Sequence, residues 1–274
     1  MSNTFNFSRF VNYLRFDLSR MWKNHTKTAI LLGGGSLIVY LLVGIGGLLL
    51  NFHWAVATEP VRFFGIFFAL AVLQLYMART YGFVTDRKEG SDFLLIPAST
   101  LEKWLSMLLI ALVVIPVLFF VAYFAVDGLI CLADPRAGES LFSLVLGGFS
   151  ELRSGMPEFN EVLAQKGLPY NYGIGSLIVP FLLSMAFNYL YYLLCGLVFK
   201  RHKILNAFFV AMVLSSVFSL VLGNIIPNMD MSYMNEQEAF AVADTAYSVM
   251  TVILGVFVAA LAAAVFVRLR KISH

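Results

Sequence analysis

Only 13% of the 274 residues are charged, and only two, Cys131 and Cys195, are cysteines. Soluble globular chains carry about a quarter charged residues, so this composition cannot supply a water-facing surface. Two cysteines make no disulfide framework and lack metal-ligand spacing; both read as small apolar residues. The four histidines, His25, His53, His202 and His274, fall in loops or at the edges of apolar runs. None pairs with a glutamate at helical spacing, as an intramembrane metalloprotease requires. No GxxxxGK[ST] occurs, which excludes a P-loop cradle for phosphates. Ser215, Ser216 and Ser219 have no neighbouring base and read as packing or hydrogen-bonding residues. The chain is expected to be no enzyme, to carry no cofactor or metal of its own, and to bind no nucleic acid.

What the chain has in abundance is apolar surface: 60% of residues are hydrophobic and the mean hydropathy is +0.82. A helix of roughly 20 apolar residues crosses a hydrocarbon core, and six such runs are read at 29–50, 61–83, 104–132, 174–199, 204–226 and 246–267. The expected fold is all-α, a polytopic membrane protein forming a single transmembrane domain over 1–274. The first two dozen residues are polar and aromatic, unlike a cleaved secretory leader, so the first span is expected to be retained. Fifteen lysines and arginines flank one side of these runs, against Arg62, Arg136, Arg153 and Lys166 on the other. The side rich in cations faces the cytoplasm, which places both termini there and is consistent with an even number of crossings. Eleven of the sixteen acids fall on the outer side.

The outer loops are read at 133–172 and 223–245. In the first, ESLFSLVLGGFSELRS is apolar enough to lie on a membrane as a helix, and MPEFNEVLAQKG reads as a second, short helix started by Pro157 and stopped by Gly167. On the inner side, residues 5–27 place Phe7, Phe10, Val11, Leu14, Leu18, Met21 and Trp22 at spacings of three and four, with Arg9, Arg15, Arg20 and Lys23 largely opposite. This is the pattern of an amphipathic helix in the cytoplasmic interface, in contact with membrane lipids.

Between the second and third runs lies TDRKEGSDFLLIPASTLEKW, polar and punctuated. Gly90 and the short apolar run to Pro97 are expected to break a helix continuing from the second span. Ser99 or Thr100 then caps a new one, with Glu102 and Lys103 in its first turn. The charges Asp86, Arg87, Lys88, Glu89 and Asp92 are expected to face outward, making 85–103 an element that a soluble partner could grip. Few ionisable groups fall inside the spans. Asp127 and Arg79 lie near span ends, from which both can snorkel to an interface, so a self-powered ion-coupled carrier is disfavoured. Gln74 and Asn188 read as interhelical hydrogen-bonding residues. Gly33 to Gly35, Gly44, Gly46 and Gly47 suggest close helix packing, and the tyrosines of NYLYYLL read as core.

The interfacial helix, the six spans with both ends inside, and the loop RKEGSDFLLIPASTLEKWLSMLL resemble the permease subunits of type 2 ATP-binding-cassette exporters. The matching positions are Glu89, Gly90, Leu94, Leu95, Pro97, Ser99 and Lys103. The resemblance implies that the loop 85–103 is a coupling helix pressed into a separate ATPase subunit that holds ATP and Mg. Arg87, Lys88, Glu89, Gly90, Asp92, Pro97, Ser99 and Glu102 would be its coupling residues, with Phe10, Arg15, Leu18 and Trp22 marking the interfacial helix beside it. It further implies a second permease chain, like or unlike, a bacterial cytoplasmic (inner) membrane, and an amphipathic, lipid-like or peptide substrate moved outward. The chain departs from the family in having its longest outer loop between spans three and four, so no substrate-path residues are carried over. A different class of function is a membrane scaffold or sensor that binds a partner through its outer loops and transports nothing.

Overall fold

The structure, a computed structural model, describes residues 5–35, 37–38, 40–42, 54–85, 90, 93, 95–168, 172–225 and 235–273. Seven long helices account for nearly all of them: α1 (Phe7–Gly33), α2 (Trp54–Thr80), α3 (Thr100–Ala133), α4 (Leu141–Gln165), α5 (Ile174–Val198), α6 (Lys203–Ile225) and α7 (Glu236–Ser273). No strand occurs among the described residues. Val61–Thr85, Thr100–Ala133, Ile174–Val198 and Phe240–Ile272 are long and apolar enough to cross a membrane. The described apolar part of α6, Lys203–Val217, falls short of that length, and positions 36, 39 and 43–50 of the predicted run 29–50 lie outside the described residues.

The buried core runs between helices. It takes Leu73, Met77 and Ala78 from α2, Met107, Ile110, Phe119 and Tyr123 from α3, Tyr189, Leu190, Leu193 and Leu197 from α5, and Val265 and Leu269 from α7. The other faces stay bare: Phe64 and Phe68 on α2, Phe181 and Leu182 on α5, Val252 and Val256 on α7 are all more than half exposed. Contiguous apolar surface of this extent is untenable in water and is the ordinary exterior of a helix bundle in lipid. The chain is a helical membrane protein.

Several expectations are corrected. The N-terminal helix does not end before the first apolar run, because α1 continues unbroken to Gly33. The first outer loop does not hold two helices. One 25-residue helix, α4, passes through Pro157, which costs a single internal hydrogen bond rather than the helix. Its stop is as read: Gly167 adopts φ 75°, the Gly167 N–H donates to Ala164 O, and the Leu168 N–H donates to Leu163 O, the paired bonds of a glycine C-terminal cap. The last helix is far longer than 246–267, and its first turns take up part of the predicted loop 223–245. Asn188 does not bridge helices; it donates to Ser184 O one turn back. Within α3 the ladder widens to a π-helical turn at Ile110–Val114, with the Ile115 N–H donating to Ile110 O. Pro116 follows at once and lacks an N–H, so the wider turn lets the helix continue past it.

One close approach between helices was not foreseen. Gly196 of α5 faces the backbone of α2 so closely that a Cβ there would overlap the carbonyl oxygen of Ala78. A missing side chain thus sets the α2–α5 distance. Gly196→Ala is expected to destabilise the protein by about 1–3 kcal/mol through overpacking. Gly128→Ala, where a Cβ meets nothing within 4 Å, is the neutral control. Thermal denaturation of the two variants in detergent is the measurement.

Candidate functional site

The polar chemistry collects at the two ends of the bundle. At the basic end, the start of α1, the turn after α2, the start of α3, the α5–α6 junction and the end of α7 meet. The Lys203 ammonium donates to Gly82 O, the Arg268 guanidinium donates to Leu197 O, and the Trp104 indole N–H donates to Ala262 O at 2.9 Å. The described residues of the segment between α2 and α3 fold against this end. The helix of the second span ends at Thr80; Phe93 and Leu95 beyond it are helical, as is Gly90. Gly90 is buried because only a residue without a Cβ fits against the Val84 carbonyl, 2.5 Å from where that atom would stand.

Ser99 is the N-cap of α3. Its hydroxyl accepts from the Glu102 N–H, and the Glu102 carboxylate accepts in return from the Ser99 N–H at 2.8 Å, a complete capping box. Glu102 does much more than cap. Its Oε1 also accepts from the Asn6 N–H at 2.9 Å and Arg9 Nη2 at 2.7 Å, and its Oε2 from Arg9 Nε at 2.8 Å. One carboxylate, wholly buried, therefore ties the N-terminal helix to the start of α3 through a two-pronged arginine contact. Lys103 points the other way: its ammonium donates to Phe93 O at 2.7 Å and lies 4.7 Å from the centroid of the Phe93 ring. Phe93 packs edge-on against Phe83, and Arg20 of α1 covers the Phe83 ring at 3.7 Å.

Deeper along α1, Asp17 is buried and its Oδ2 accepts from the Tyr81 hydroxyl at 3.0 Å and the Ser106 hydroxyl at 2.7 Å. Burial pushes the Asp17 carboxyl above the ordinary carboxylate value, against the opposing pull of both hydroxyls and of the Arg20 charge.

Of the residues singled out from the sequence, Gly90, Ser99 and Glu102 come together here, and all three are buried. Ser99 caps α3, as read, and the side chains of both Ser99 and Glu102 are spent on contacts within the fold. Pro97 and Leu95 are exposed, Leu95 at 77%. Arg87, Lys88, Glu89 and Asp92, with Leu94, lie outside the described residues. On α1, Phe10 is buried and Leu18 packs on the core, while Arg15 and Trp22 are exposed. The inward face includes Tyr13 and Asp17, which an apolar periodicity could not flag, and Phe7, Phe16 and Trp22 point outward. Among the described residues no group of three or more His, Cys, Asp or Glu side chains could hold a metal.

The opposite end holds a buried ion pair. Arg62 and Asp127 are each fully buried, with Nε and Oδ1 3.5 Å apart, so neither snorkels as Asp127 was expected to. Arg62 also donates to Glu139 O at 2.5 Å and to Cys131 Sγ at 2.9 Å, and Asp127 accepts from the Leu141 N–H at 2.7 Å. These contacts pin the loop before α4 onto α2 and α3. Comparison with protein-family models, with curated proteins and with solved structures finds no match.

Two predictions follow from these clusters. Because the Asp17 carboxyl is raised in the folded state, the stability linked to its neutral form is present at acid pH and lost as pH rises through the folded value. Asp17→Asn keeps an acceptor for both hydroxyls and stays neutral, so its melting temperature relative to wild type is expected to climb as pH is raised from about 4 to 7. Asp17→Leu leaves both hydroxyls unpaired and is expected to cost about 1–3 kcal/mol per orphaned group. At the other end, Arg62→Met or Asp127→Leu alone strands a buried charge and is expected to cost about 3–5 kcal/mol, with the double variant costing less than the sum. A double-mutant cycle on the detergent-solubilised protein reads this directly.

Proposed function

We propose that the chain is the permease subunit of an ATP-binding-cassette exporter, with six spans and both termini in the cytoplasm. A separate ATPase subunit docks on the segment 85–103 and moves an amphipathic substrate outward across a bacterial cytoplasmic membrane. The observation that carries this reading is the folded connector. Its described residues are no slack link between α2 and α3: they are capped by Ser99, clamped to α1 through Glu102 and held through Phe93 by Lys103. A segment fixed to α1 and α3 transmits force, whereas a solvated loop absorbs it. Its described apex presents Leu95 and Pro97 to solvent, an apolar knob of the kind that seats in a partner's groove.

The orientation rests on charge. Arg9, Arg15, Arg20, Lys23, Lys103, Lys200, Arg201, Lys203, Arg268, Arg270 and Lys271 belong to elements that meet at the connector's end of the bundle, and cations of that number favour the cytoplasmic side. With no P-loop in the sequence, ATP and Mg belong to the partner. A second permease chain would cover apolar surface such as that of α7, whose most hydrophobic stretch is only 6% buried. A scaffold that binds a partner through its outer segment is the second reading, favoured by the exposed Phe142, Leu146 and Phe149 on α4.

The test is purification of the solubilised chain from its own host. It is expected to bring down a P-loop ATPase, and Leu95→Glu, which alters an exposed side chain only, is expected to release that subunit without lowering the melting temperature. Recovery of no P-loop ATPase, together with a partner that is lost when 141–165 is deleted, would support the scaffold.

A further inference from the structure

A cavity of about 670 Å³ opens at the end of the bundle remote from the connector, between α4, the start of α5 and the first turns of α7. Its size falls within the range of pockets for small organic molecules. Its walls are largely apolar: Leu152, Met156 and Phe159 from α4, Leu177 from α5 and Phe240 from α7. Aromatic rings run across it, with Tyr172 6.1 Å from Phe159 and 6.4 Å from Phe240, centroid to centroid. The charged groups on its lining are Glu151 and Asp244; no lysine, arginine or histidine is among the described residues that line it.

The cavity is tied together rather than left as a gap. The Asn160 side chain holds the Tyr172 backbone from both sides, donating to its carbonyl at 3.0 Å and accepting from its N–H at 2.9 Å. The Tyr172 hydroxyl donates to Asp244 and the Tyr247 hydroxyl to Ser176 O. Gln237 of α7 donates to Lys166 O at the end of α4. Two further features bear on what fits. A Cβ placed on Gly155, in the wall, meets nothing within 4 Å, so the helix leaves free space there. The aromatic faces carry negative quadrupole and the carboxylates carry full negative charge, and both attract a cation.

We propose that this cavity binds a lipophilic organic cation, its apolar body against Met156, Phe159 and Phe240 and its charge toward Asp244 and Glu151. A fatty acid or anionic lipid would set its headgroup against two carboxylates, with no lysine, arginine or histidine among the described lining residues to offset them. The site does not depend on the proposed ATPase. Its test needs the single chain alone, and failure here would leave the permease reading standing.

Tetraphenylphosphonium is the probe and tetraphenylborate, an anion of the same shape, its control. Both are dialysed to equilibrium against the purified full chain in neutral maltoside micelles, with protein-free micelles subtracted. The cation is expected to bind saturably and the anion not. Gly155→Trp, which fills the free space without a backbone clash, is expected to abolish binding. Asp244→Asn with Glu151→Gln, which keeps an acceptor for Tyr172, is expected to weaken it about tenfold. Equal uptake of both ions, no saturable uptake of the cation, or cation binding that survives Gly155→Trp would each overturn the proposal. The melting temperature of every variant is recorded, and the double charge variant keeps the test valid should the tryptophan variant fail to fold.

Discussion

The Glu102 carboxylate is the point on which the basic end of this protein turns. It satisfies the backbone N–H groups of Ser99 and Asn6 and receives both prongs of Arg9. A buried carboxylate is costly unless its lone pairs are filled and its charge is matched, and here every contribution to that match comes from a different part of the chain. The N-terminal helix supplies the cation, the connector supplies the cap, and α3 supplies the acid. None of the three can shift without stranding the charge, so α1 and the connector move with α3 or not at all. Asp17 repeats the arrangement about two turns further along α1, joining it to Tyr81 at the end of α2 and to Ser106 in the second turn of α3.

The far end is built on a different principle. Arg62 and Asp127 sit opposite each other at 3.5 Å, outside hydrogen-bond geometry, and Arg62 Nε and Asp127 Oδ1 have no hydrogen-bond partner among the described residues. Their other atoms hold the backbone of Glu139 and Leu141, where the chain enters α4, and the Cys131 thiol of α3. The pair is therefore only partly satisfied, where Glu102 is fully so. A cluster of this kind contributes little to net stability but resists loss of one member. It fixes where α4 leaves the bundle, and hence where the wall of the α4–α7 cavity stands.

Much of the fold was legible because lipid imposes simple rules. The boundaries of α5, the start of α3 near Thr100 and the stop at Gly167 follow from apolar length, a capping box and a glycine turn. What was not legible depends on contacts distant in sequence. Glu102 and Arg9 are 93 residues apart, so a charge read locally only as part of a helix's first turn proved to be the most completely bonded group in the site. Asp17 interrupts an otherwise polar stripe of α1 and looks like any surface acid until Tyr81 and Ser106 are seen to face it. Gly196 carries no local signal, since its role is set by Ala78 across a helix crossing. The aromatic periodicity of α1 identified a two-sided helix but misassigned part of each side: Phe7 and Trp22 face out while Tyr13 and Asp17 face in. Helical spacing alone cannot distinguish a face toward lipid from a face toward protein when both are aromatic.

α3 is the element that relates the two ends. It runs unbroken from Thr100 to Ala133, with Glu102 near its start and Asp127 near its finish, a separation of about 38 Å at 1.5 Å per residue. A straight helix of that length would carry a push at the connector to the far end with little loss. The π-helical turn at Ile110–Val114, followed by Pro116, is the one place where its hydrogen-bond ladder changes pitch. It lies between Ser106, bonded to Asp17, and Phe119, buried in the core. A joint there separates a lower segment locked to α1 and the connector from an upper segment locked to Arg62 and α4. If a motor acts on the connector, the lower segment must follow it because of Glu102. The five residues of the π-helical turn are the part of α3 that joins the segment bonded to α1 and the connector to the segment bonded to Arg62 and α4.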